Sequence, residues 1–469
     1  MNNPTWGIIA KAQGTSKWTE NSTVHPAAQS KGPGQYMAEI SPFPGIYYPQ
    51  TKTEPLEKVI APPYDVISSR LQEALYSESS HNVVRIILNR EEQQDDEITN
   101  CYTRSAGYLN SWLADGTLVE DESSAVYLYR QEFLNPGDGQ RYVRSGLFCA
   151  LKLEPYSAGV VLPHEETRRK AREDRMRLMH ATKANSEPIY GLYEDPDGQV
   201  VRSLYSGAGG TEPLLAAEVD GDRHIVWRVN DSDIIQSIQS FLSGKRVWIA
   251  DGHHRYETAL EYRDERRAQD GNPDEAQVYD YILIVLSAFC DPGLIVLPTH
   301  RLIKNIRVDL LESFNDNIRK EFDVRRVEKN ELTEAMKAIA GDGRHAFGVV
   351  AKNEVSLIAL RDVGVMEKLV INHSPEWKQL DVSILQKLVL EDTLGIPALE
   401  LATTPDIAYT RELTEAFELV ENGEFEMALI LNNPSADEVR QVAAAGDKMP
   451  PKSTFFYPKL WSGLIMRRV

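Results

Sequence analysis

Cysteine is scarce in this chain of 469 residues, which contains only Cys101, Cys149 and Cys290. The three are far apart and form no CxxC pair, so the sequence offers neither a disulfide framework nor a cysteine-based zinc site. Long apolar runs are also missing, because the longest, near residues 281–289, has the length of a strand and not of a membrane span. The chain does not open on a basic region followed by an apolar core, which is the pattern of a signal peptide. These absences predict a cytoplasmic protein with no membrane partner.

Positive charge is in the minority. The chain has 51 Lys and Arg residues against 70 Asp and Glu residues, which gives a formal net charge of −19. A surface of this sign argues against nucleic acid or an anionic membrane as the main partner. A basic pocket would stand out against such a background, which suits a small anionic ligand. The length predicts two or three domains, and the oligomeric state stays open, a homodimer included.

One stretch, residues 247–260, combines an apolar strand, a tight turn and a helical pattern. A strand that turns into a helix in this way directs backbone N–H groups and the positive end of the helix dipole to one point. The alternative is an Asp-Gly hairpin turn with surface histidines. The helical spacing after the turn favours the first interpretation, and a phosphate group best satisfies so many donors. The turn and the helix start are Asp251, Gly252, His253, His254 and Arg255.

Four parts are predicted from the shifts in composition. Residues 1–36 are polar, with little periodicity, and predict a disordered tail, with Met37 as the natural start. The remaining parts are an N-terminal α/β part of the catalytic region (37–215), a core with the Asp-Gly-His-His-Arg motif (216–304) and a C-terminal α/β domain (305–469).

Apolar periodicity predicts a mixed α/β (α+β) fold. Residues 83–88 are predicted as a strand, and residues 126–133 and 142–153 as antiparallel strands. The glycine-rich residues 206–211 lack the Gly-Lys-Ser/Thr of a phosphate loop, so a flexible connector is the preferred interpretation.

Several polar groups adjoin predicted strand ends, where α/β proteins place their ligand-binding side chains. A solvated helix is the ordinary interpretation of the charged run over residues 162–185, and a plain strand entry is an alternative for the Lys-Ser-Thr segment near the C-terminus. The candidates are His164, Glu165, Thr167, Asn185, His300, Arg301, Lys452, Ser453 and Thr454.

With these segments together, the chain resembles the domain-of-unknown-function 1015 family from about residue 40 to the C-terminus. Its Asp-Gly-His-His-Arg motif is also similar to the second motif of the ParB/sulfiredoxin-like superfamily, in which free L-serine kinases carry the same residues. The motifs that carry the resemblance are Ala61-Pro62-Pro63-Tyr64-Asp65-Val66, His164-Glu165-x-Thr167, Asp174-Arg175 through Asn185, Asp251 to Tyr256, Leu297-Pro298-Thr299-His300-Arg301 and Lys452-Ser453-Thr454.

The resemblance implies a ParB/sulfiredoxin-like nucleotide-binding core with large insertions, and a kinase that uses ATP or ADP with Mg²⁺. The implied partners are a nucleotide and a small free metabolite whose hydroxyl is phosphorylated, with L-serine as the leading acceptor. The lack of a cysteine in the motif argues against sulfinic-acid repair, and the acidic net charge argues against DNA partitioning.

Roles follow for the individual residues under this hypothesis. Glu165 or Asp65 is the general base, with Glu165 preferred because His164 beside it could tune it, and a turn cap is the alternative for Asp65. Asp251 orients a histidine or holds Mg²⁺. The phosphate-binding residues are Gly252, His253, His254, Arg255, His300 and Arg301, with His254 also counted as catalytic. The substrate-binding residues are His164, Thr167, Asn185, Lys452, Ser453 and Thr454.

Two further functions remain open at this point. One is a nucleotide-binding regulatory protein without catalysis. The other is a metal-dependent phosphohydrolase with His164, His253, His254 and Asp251 as ligands, which is weaker because adjacent histidines seldom point at one metal. For the kinase hypothesis, Arg255→Ala is expected to abolish activity and leave the fold intact.

Overall fold

A computed structural model provides the fold. The predictions of a disordered tail over residues 1–36 and of a start at Met37 lie outside the residues that it describes. The described residues are 38–50, 54–352, 354–398 and 404–469.

Helices and strands alternate along the described residues, which confirms the predicted α/β (α+β) class. The strands are β1 (Ile40–Ser41), β2 (Ile46–Tyr47), β3 (Val119–Glu120), β4 (Val126–Leu134), β5 (Arg141–Lys152), β6 (Val161–Leu162), β7 (Ala184–Asn185), β8 (Ile189–Tyr193), β9 (Leu215–Val219), β10 (Asp222–Val229), β11 (Val247–Asp251), β12 (Tyr281–Ala288), β13 (Ile295–Leu297), β14 (His300–Ile303), β15 (Phe322–Arg326), β16 (Ala346–Ala351), β17 (Glu354–Leu360), β18 (Ile407–Thr410), β19 (Met427–Ile430), β20 (Phe455–Tyr457) and β21 (Arg467–Arg468).

The helices vary from a single turn to seventeen residues. They are α1 (Leu56–Val59), α2 (Ser69–Glu78), α3 (Val84–Ile87), α4 (Cys101–Asp115), α5 (Arg169–Thr182), α6 (Gln199–Ala208), α7 (Ser232–Leu242), α8 (His253–Gln269), α9 (Val308–Ile318), α10 (Leu332–Gly341), α11 (Gly364–Leu369), α12 (Pro375–Lys378), α13 (Asp381–Ile384), α14 (Leu413–Glu421) and α15 (Ala436–Ala444). Short 3₁₀ segments are Tyr64–Val66, Tyr156–Ala158 and Val278–Asp280, and Leu385–Glu391 is π-helical.

The larger sheet has nine strands among the described residues, in the order β6-β11-β8-β12-β5-β4-β10-β9, with β1 paired to β5. It is mixed, since β11 is parallel to β6 and antiparallel to β8, and β8 is parallel to β12. The predicted boundary between residues 215 and 216 falls inside β9, and the sheet takes strands from both sides of it.

Strand β11 is buried on both faces. Val247 and Ile249 pack in the same apolar cluster as Tyr256 of α8, whereas Trp248 and Ala250 pack in the cluster on the opposite side. A strand covered on both faces needs a continuous apolar run, which explains the sequence Val-Trp-Ile-Ala. Burial therefore fixes β11 and places its polar end, Asp251, at the edge of the core.

The smaller sheet has six antiparallel strands among the described residues, in the order β15-β17-β16-β19-β14-β18. Strand β14 belongs to it although it precedes residue 305, where the C-terminal domain was predicted to begin. The two sheets are linked near the site by the pair β13–β20. The division of the chain into domains stays a prediction.

The strand predicted over residues 83–88 is wrong, because Val84–Ile87 forms helix α3. The Asn82 side chain accepts a hydrogen bond from Val84 N at 2.9 Å and donates to the carbonyls of Lys58 and Ile60. These buried hydrogen bonds override the strand preference of the β-branched residues. Residues 206–208 of the predicted connector end helix α6. None of the helices in the described part of the chain has the length and apolar character to span a membrane.

Candidate functional site

The central stretch folds as a strand, a left-handed glycine and a helix, as the sequence predicted. Strand β11 ends at Asp251, Gly252 has a φ of 91°, and α8 begins at His253. A Cβ at Gly252 would lie 2.8 Å from Ile189 Cγ2 and 3.0 Å from Arg255 Nη2. The position therefore requires glycine for both its backbone angle and its close contacts.

The start of α8 has no cap. The first backbone hydrogen bond runs from Tyr256 N to Gly252 O at 3.0 Å. Within the described residues, the N–H groups of His253, His254 and Arg255 have no acceptor. Uncapped N–H groups at the positive end of a 17-residue helix are suited to bind an anion.

Two cations flank the Asp251 carboxylate. Lys459 Nζ lies 2.5 Å from Oδ1, and Arg255 Nη2 lies 3.0 Å from Oδ2. Burial alone would raise the pKa of Asp251, but Lys459 and Arg255 lower it to about 2. The carboxylate is therefore charged at all physiological pH values. The sequence prediction missed Lys459, which is 208 residues away in the chain.

The Arg255 side chain is part of the framework beneath the site. Its Nη1 donates to Pro188 O at 2.5 Å, and its Nη2 donates to Asp251. Burial would lower the pKa of Arg255, but Glu187 and Asp251 raise it above the ordinary value. Each terminal nitrogen donates one hydrogen bond within the protein, so the guanidinium holds Asp251 and the residue before β8 in place. The predicted binding of phosphate by Arg255 stays a prediction.

Glu187 is a second site residue that the sequence prediction missed. Its Oε1 accepts hydrogen bonds from Tyr64 N at 3.0 Å and from Ser462 Oγ at 3.1 Å, and its Oε2 lies 3.6 Å from Arg175 Nη1. Burial raises the pKa of Glu187, and Arg255 and Arg175 act in the opposite direction. This buried carboxylate holds the turn that carries Asp65. Burial lowers the pKa of His254, and the negative charge of the exposed Asp65 acts in the opposite direction.

His164 and His253 pack edge to face, with ring centroids 4.6 Å apart. The backbone N–H of His164 donates to His253 Nε2 at 3.2 Å, which places the His253 ring proton on Nδ1, 3.8 Å from Glu165 Oε2. Burial lowers the pKa of His253 well below its ordinary value. His253 is therefore neutral, and its Nδ1–H makes no hydrogen bond to Glu165 at this distance.

The ring of His164 is bonded on both nitrogens. Nδ1 donates to Ile249 O at 2.8 Å, so Nε2 accepts from Thr454 Oγ1 at 3.1 Å. Burial lowers the pKa of His164 to about 4. These bonds tie β6 and the C-terminal segment to β11. The structure shows His164 as a link between Ile249 and Thr454, and its predicted roles in tuning Glu165 and binding substrate stay predictions.

Glu165 is a half-buried carboxylate of the site, with a side chain that keeps 39% of its exposure. Burial raises the pKa of Glu165, and the charge of Asp251 adds to this effect. Lys452 and Lys459 act in the opposite direction. A reachable carboxylate with a raised pKa has the properties of a general base.

Other predicted residues have partners within the protein. His254 Nε2 accepts from Arg168 N at 2.9 Å, and burial lowers the pKa of His254. The Thr167 hydroxyl donates to the Glu257 carboxylate. Asn185 Oδ1 accepts from Leu283 N at 3.0 Å in the core, so the structure uses it as an anchor between strands.

The predicted Lys-Ser-Thr segment contributes one charge to the site. Lys452 is exposed, and its charge lowers the pKa of Glu165. Ser453 is buried, and its hydroxyl donates to Pro450 O at 2.5 Å. The serine hydroxyl thus stabilises the loop itself, and the threonine hydroxyl joins the loop to His164.

His300 and Arg301 lie in β14 and are both buried. His300 Nδ1 accepts from Leu431 N at 3.3 Å, and burial lowers the pKa of His300 to about 4. Arg301 donates to Thr299 O and lies over the Tyr409 ring at 5.6 Å. No carboxylate forms an ion pair with Arg301 in the described parts of the chain, and burial lowers its pKa to about 10.

The predicted metal site of His164, His253, His254 and Asp251 is not formed. Among the described residues, no group of three or more His, Cys, Asp or Glu side chains is placed to hold a metal ion. The reason is local, since one nitrogen of each histidine ring accepts a hydrogen bond from the protein and Asp251 is paired with two cations.

The family model of the protein of unknown function DUF1015 matches residues 40–383. The chain belongs to this family. No curated protein matches the sequence. Among solved structures, a free serine kinase in complex with AMP is similar at 15% identity and a TM-score of 0.32, covering 63% of this chain and 83% of that one.

Two other structures give comparable values. A variant of the free serine kinase in complex with ADP has 14% identity and a TM-score of 0.31, and covers 63% of this chain and 84% of that one. A conserved hypothetical protein from Pyrococcus furiosus has 17% identity and a TM-score of 0.30, and covers 64% and 90%.

Proposed function

We propose that this protein is a nucleotide-dependent kinase that phosphorylates the hydroxyl of a small free metabolite. The observation that carries the proposal is the uncapped start of α8 next to Glu165, a reachable carboxylate with a raised pKa. The first candidate acceptor is free L-serine, because the Asp-Gly-His-His-Arg motif resembles that of free L-serine kinases. ATP and ADP are the candidate donors.

Phosphoryl transfer needs alignment and charge neutralisation more than covalent help from the protein. The N–H groups of His253, His254 and Arg255 offer three donors at a helix N-terminus. Arg255 and Asp251 hold this start in place through their ion pair at 3.0 Å. The donors bind the phosphate that is transferred, and the fixed backbone sets its position relative to the base.

Glu165 accepts the proton of the acceptor hydroxyl. As the hydroxyl oxygen bonds to the terminal phosphorus, the bond from that phosphorus to the bridging oxygen breaks, and the shortened nucleotide leaves with the electron pair. The proton moves to the Glu165 carboxylate, which is charged before the reaction. The His253 Nδ1–H lies 3.8 Å from Glu165 Oε2, which is too far for a direct hydrogen bond. Asp65, on the exposed 3₁₀ turn, is the second candidate base.

Mg²⁺ takes one or two carboxylates and completes its shell with phosphates and water. Asp251, the predicted Mg²⁺ ligand, does not fit this role, because Lys459 and Arg255 already pair with its two oxygens. A Mg²⁺ ion that arrives with the nucleotide would be held by phosphates and water, and it would neutralise phosphate charge.

The direct test is to incubate the purified protein with Mg²⁺, serine and either ATP or ADP, and to measure O-phosphoserine. Glu165→Gln should lower kcat by about a hundredfold or more, since general-base catalysis contributes that much. The matched control is Glu166→Gln, because Glu166 is the exposed neighbour and pairs with Lys448 at 3.0 Å. Equal rates for the two variants would remove Glu165 from the mechanism. The lack of phosphoserine with either donor would reject serine kinase activity.

A nucleotide-binding regulatory protein is the second candidate function. The observation in its favour is that four polar side chains of the site already have hydrogen-bond partners within the protein: His164, His253, His254 and Asp251. Side chains with these roles in the fold are not required for catalysis, and the helix start can bind an anion without a reaction. Binding of ADP without turnover of serine or any other hydroxyl compound would support it.

A further inference from the structure

Lys459 lies at the centre of the site. Its Nζ is 2.5 Å from Asp251 Oδ1. Burial has the largest effect on the pKa of Glu165 and on that of His164, and the positive charge of Lys459 lowers both values. The ammonium also lies 4.6 Å from the centre of the Phe455 ring. An ammonium has three donors, so Lys459 can keep its bond to Asp251 and still donate to an anion.

The turn that carries Lys459 is held from the long hairpin β4–β5. Arg144 Nη2 donates to Pro458 O at 2.7 Å, and Arg144 Nη1 lies 3.5 Å from Tyr457 O. Gln131 Nε2 lies 3.5 Å from Lys459 O, and its Oε1 accepts from Arg144 Nη2 at 2.5 Å. Arg144 and Gln131 thus bond the carbonyls of three consecutive residues, 457–459.

Arg144 also contacts the strand next to Asp251, which is the partner of Lys459 in the ion pair. Its guanidinium lies over the ring of Tyr190, at 4.8 Å from the centroid. Tyr190 is the direct neighbour of Asp251 in the pairing of β8 with β11. Arg144 therefore contacts both the turn before Lys459 and the strand beside Asp251, and it fixes the distance between them.

Arg144 is 2% exposed, and no carboxylate forms an ion pair with it in the part of the chain that the structure describes. Burying a guanidinium without an ion partner is unfavourable, and an apolar side chain would fill the same space at less cost. Its hydrogen bonds to the carbonyls of Tyr457 and Pro458 indicate that its role is to hold this turn in position.

We propose that Lys459 is a phosphate-binding residue of this site, and that Arg144 and Gln131 are positioning residues that hold it against Asp251. The role of Lys459 rests on the proposed nucleotide-dependent function. Phosphate would meet Lys459 and the start of α8 from adjacent sides. The positioning role of Arg144 and Gln131 stands on the contacts alone.

The first experiment is independent of activity. The full chain is treated with an amine-acetylating reagent, and mass spectrometry gives the acetylation rate of Lys459, with exposed Lys452 as the internal reference. Arg144→Met should raise the rate at Lys459 by roughly tenfold, because a disrupted turn exposes a protected amine. Lys452 should keep its rate.

Arg467→Met is the matched control. Arg467 is also buried, bonds the carbonyls of Tyr281 and Val278, and lies in the same C-terminal segment, but not on the turn at 457–459. It should leave the Lys459 rate unchanged. If Arg144→Met does not fold, Gln131→Leu takes its place, with an expected increase of about threefold. An unchanged Lys459 rate in a folded Arg144 or Gln131 variant would overturn the positioning role.

The second experiment tests the phosphate-binding role with Mg²⁺ and ADP. ADP should protect Lys459 from acetylation and leave Lys452 unprotected. Lys459→Met should raise the Kd for ADP by roughly tenfold, and Arg144→Met should add less than about twofold in the Lys459→Met background. Binding of ADP without protection of Lys459 would overturn the phosphate-binding role. A wild-type protein that phosphorylates no acceptor, but shows this protection, would reject the kinase function and retain both roles.

Discussion

The dipeptide His-Arg occurs at two buried places, once at the start of α8 and once in β14. Arg255 of the first copy is paired with Asp251 at 3.0 Å and next to the buried Glu187. Arg301 of the second copy has the carbonyl of Thr299 and the ring of Tyr409 as partners. The pKa of Arg255 is raised by its carboxylates, while burial lowers the pKa of Arg301 to about 10.

The difference shows that residue type alone does not define a ligand contact. The arginine next to the helix start is bonded within the framework, whereas the backbone N–H groups of the helix start have no acceptor among the described residues. The arginine in β14 has no carboxylate partner among the described residues. Burial raises the pKa of Tyr409, and the charges of Arg301 and Arg168 act in the opposite direction.

The largest effect is expected from Arg255→Met. The change leaves Asp251 and Glu187 with one cation fewer in a buried setting, which should lower the free energy of unfolding by about 3 kcal/mol. A displaced helix start should lower kcat/KM by about a hundredfold. Urea unfolding and the phosphoserine assay measure the two. This prediction replaces the expectation from the sequence that Arg255→Ala leaves the fold intact. Unchanged stability would show that the ion pair between Arg255 and Asp251 has no structural role.

Arg301→Met should have a smaller effect of a different kind. Removal of a buried guanidinium without a carboxylate should change the free energy of unfolding by less than about 1 kcal/mol. The KM for the nucleotide should rise by roughly tenfold if a phosphate is the missing partner, since a charge-assisted hydrogen bond is worth that much. A large loss of stability with an unchanged KM would assign Arg301 a structural role and end the contrast with Arg255.

Acid titration also distinguishes Arg255 from Arg301. The folded-state pKa of Asp251 is lowered to about 2 from an ordinary value of about 3.9, so its contribution is present above pH 4 and lost as the pH falls towards 2. The shift corresponds to about 2 kcal/mol. Arg255→Met should reduce this acid dependence, and Arg301→Met should leave it unchanged. Stability curves from pH 5 to pH 2 test both.

The raised pKa of Glu165 predicts the pH dependence of the reaction. A base works when deprotonated, so kcat should fall as the pH drops through that pKa. The acidic limb should begin at a higher pH than for an ordinary glutamate, and Lys452→Met should move it upwards, because Lys452 lowers the pKa of Glu165. A limb that moves downwards in this variant would contradict the assignment.

Gly252→Ala tests the turn itself with the addition of a single methyl group. The left-handed backbone disfavours alanine by about 1 kcal/mol, and the contact of 2.8 Å with Ile189 adds to this. Gly271 is the matched control, since its φ is 77° and no atom lies within 4 Å of the place that a Cβ would take. Gly271→Ala should show the backbone effect alone. Equal losses of stability for Gly252→Ala and Gly271→Ala would show that the Ile189 side chain moves away from the new Cβ at position 252.

The strand, turn and helix at residues 247–260 could be predicted from sequence because the signals are local: an apolar run, Asp-Gly, then helical spacing. Glu165 was named for the same reason, as it follows a strand end. Lys459 and Glu187 were missed because only the tertiary fold brings them to Asp251 and Tyr64. The strand prediction over residues 83–88 failed where hydrogen bonds of the buried Asn82 side chain outweighed the strand preference of β-branched residues. Local pattern predicted the strand, turn and helix, and long-range contacts decide the partners of their side chains.

The most direct test of the proposed site is a crystal structure of the protein with ADP and Mg²⁺. We expect a phosphate oxygen within hydrogen-bond distance of the N–H groups of His253, His254 and Arg255, with Glu165 facing the terminal phosphate. Nucleotide bound elsewhere, with these three N–H groups facing solvent, would contradict the proposal.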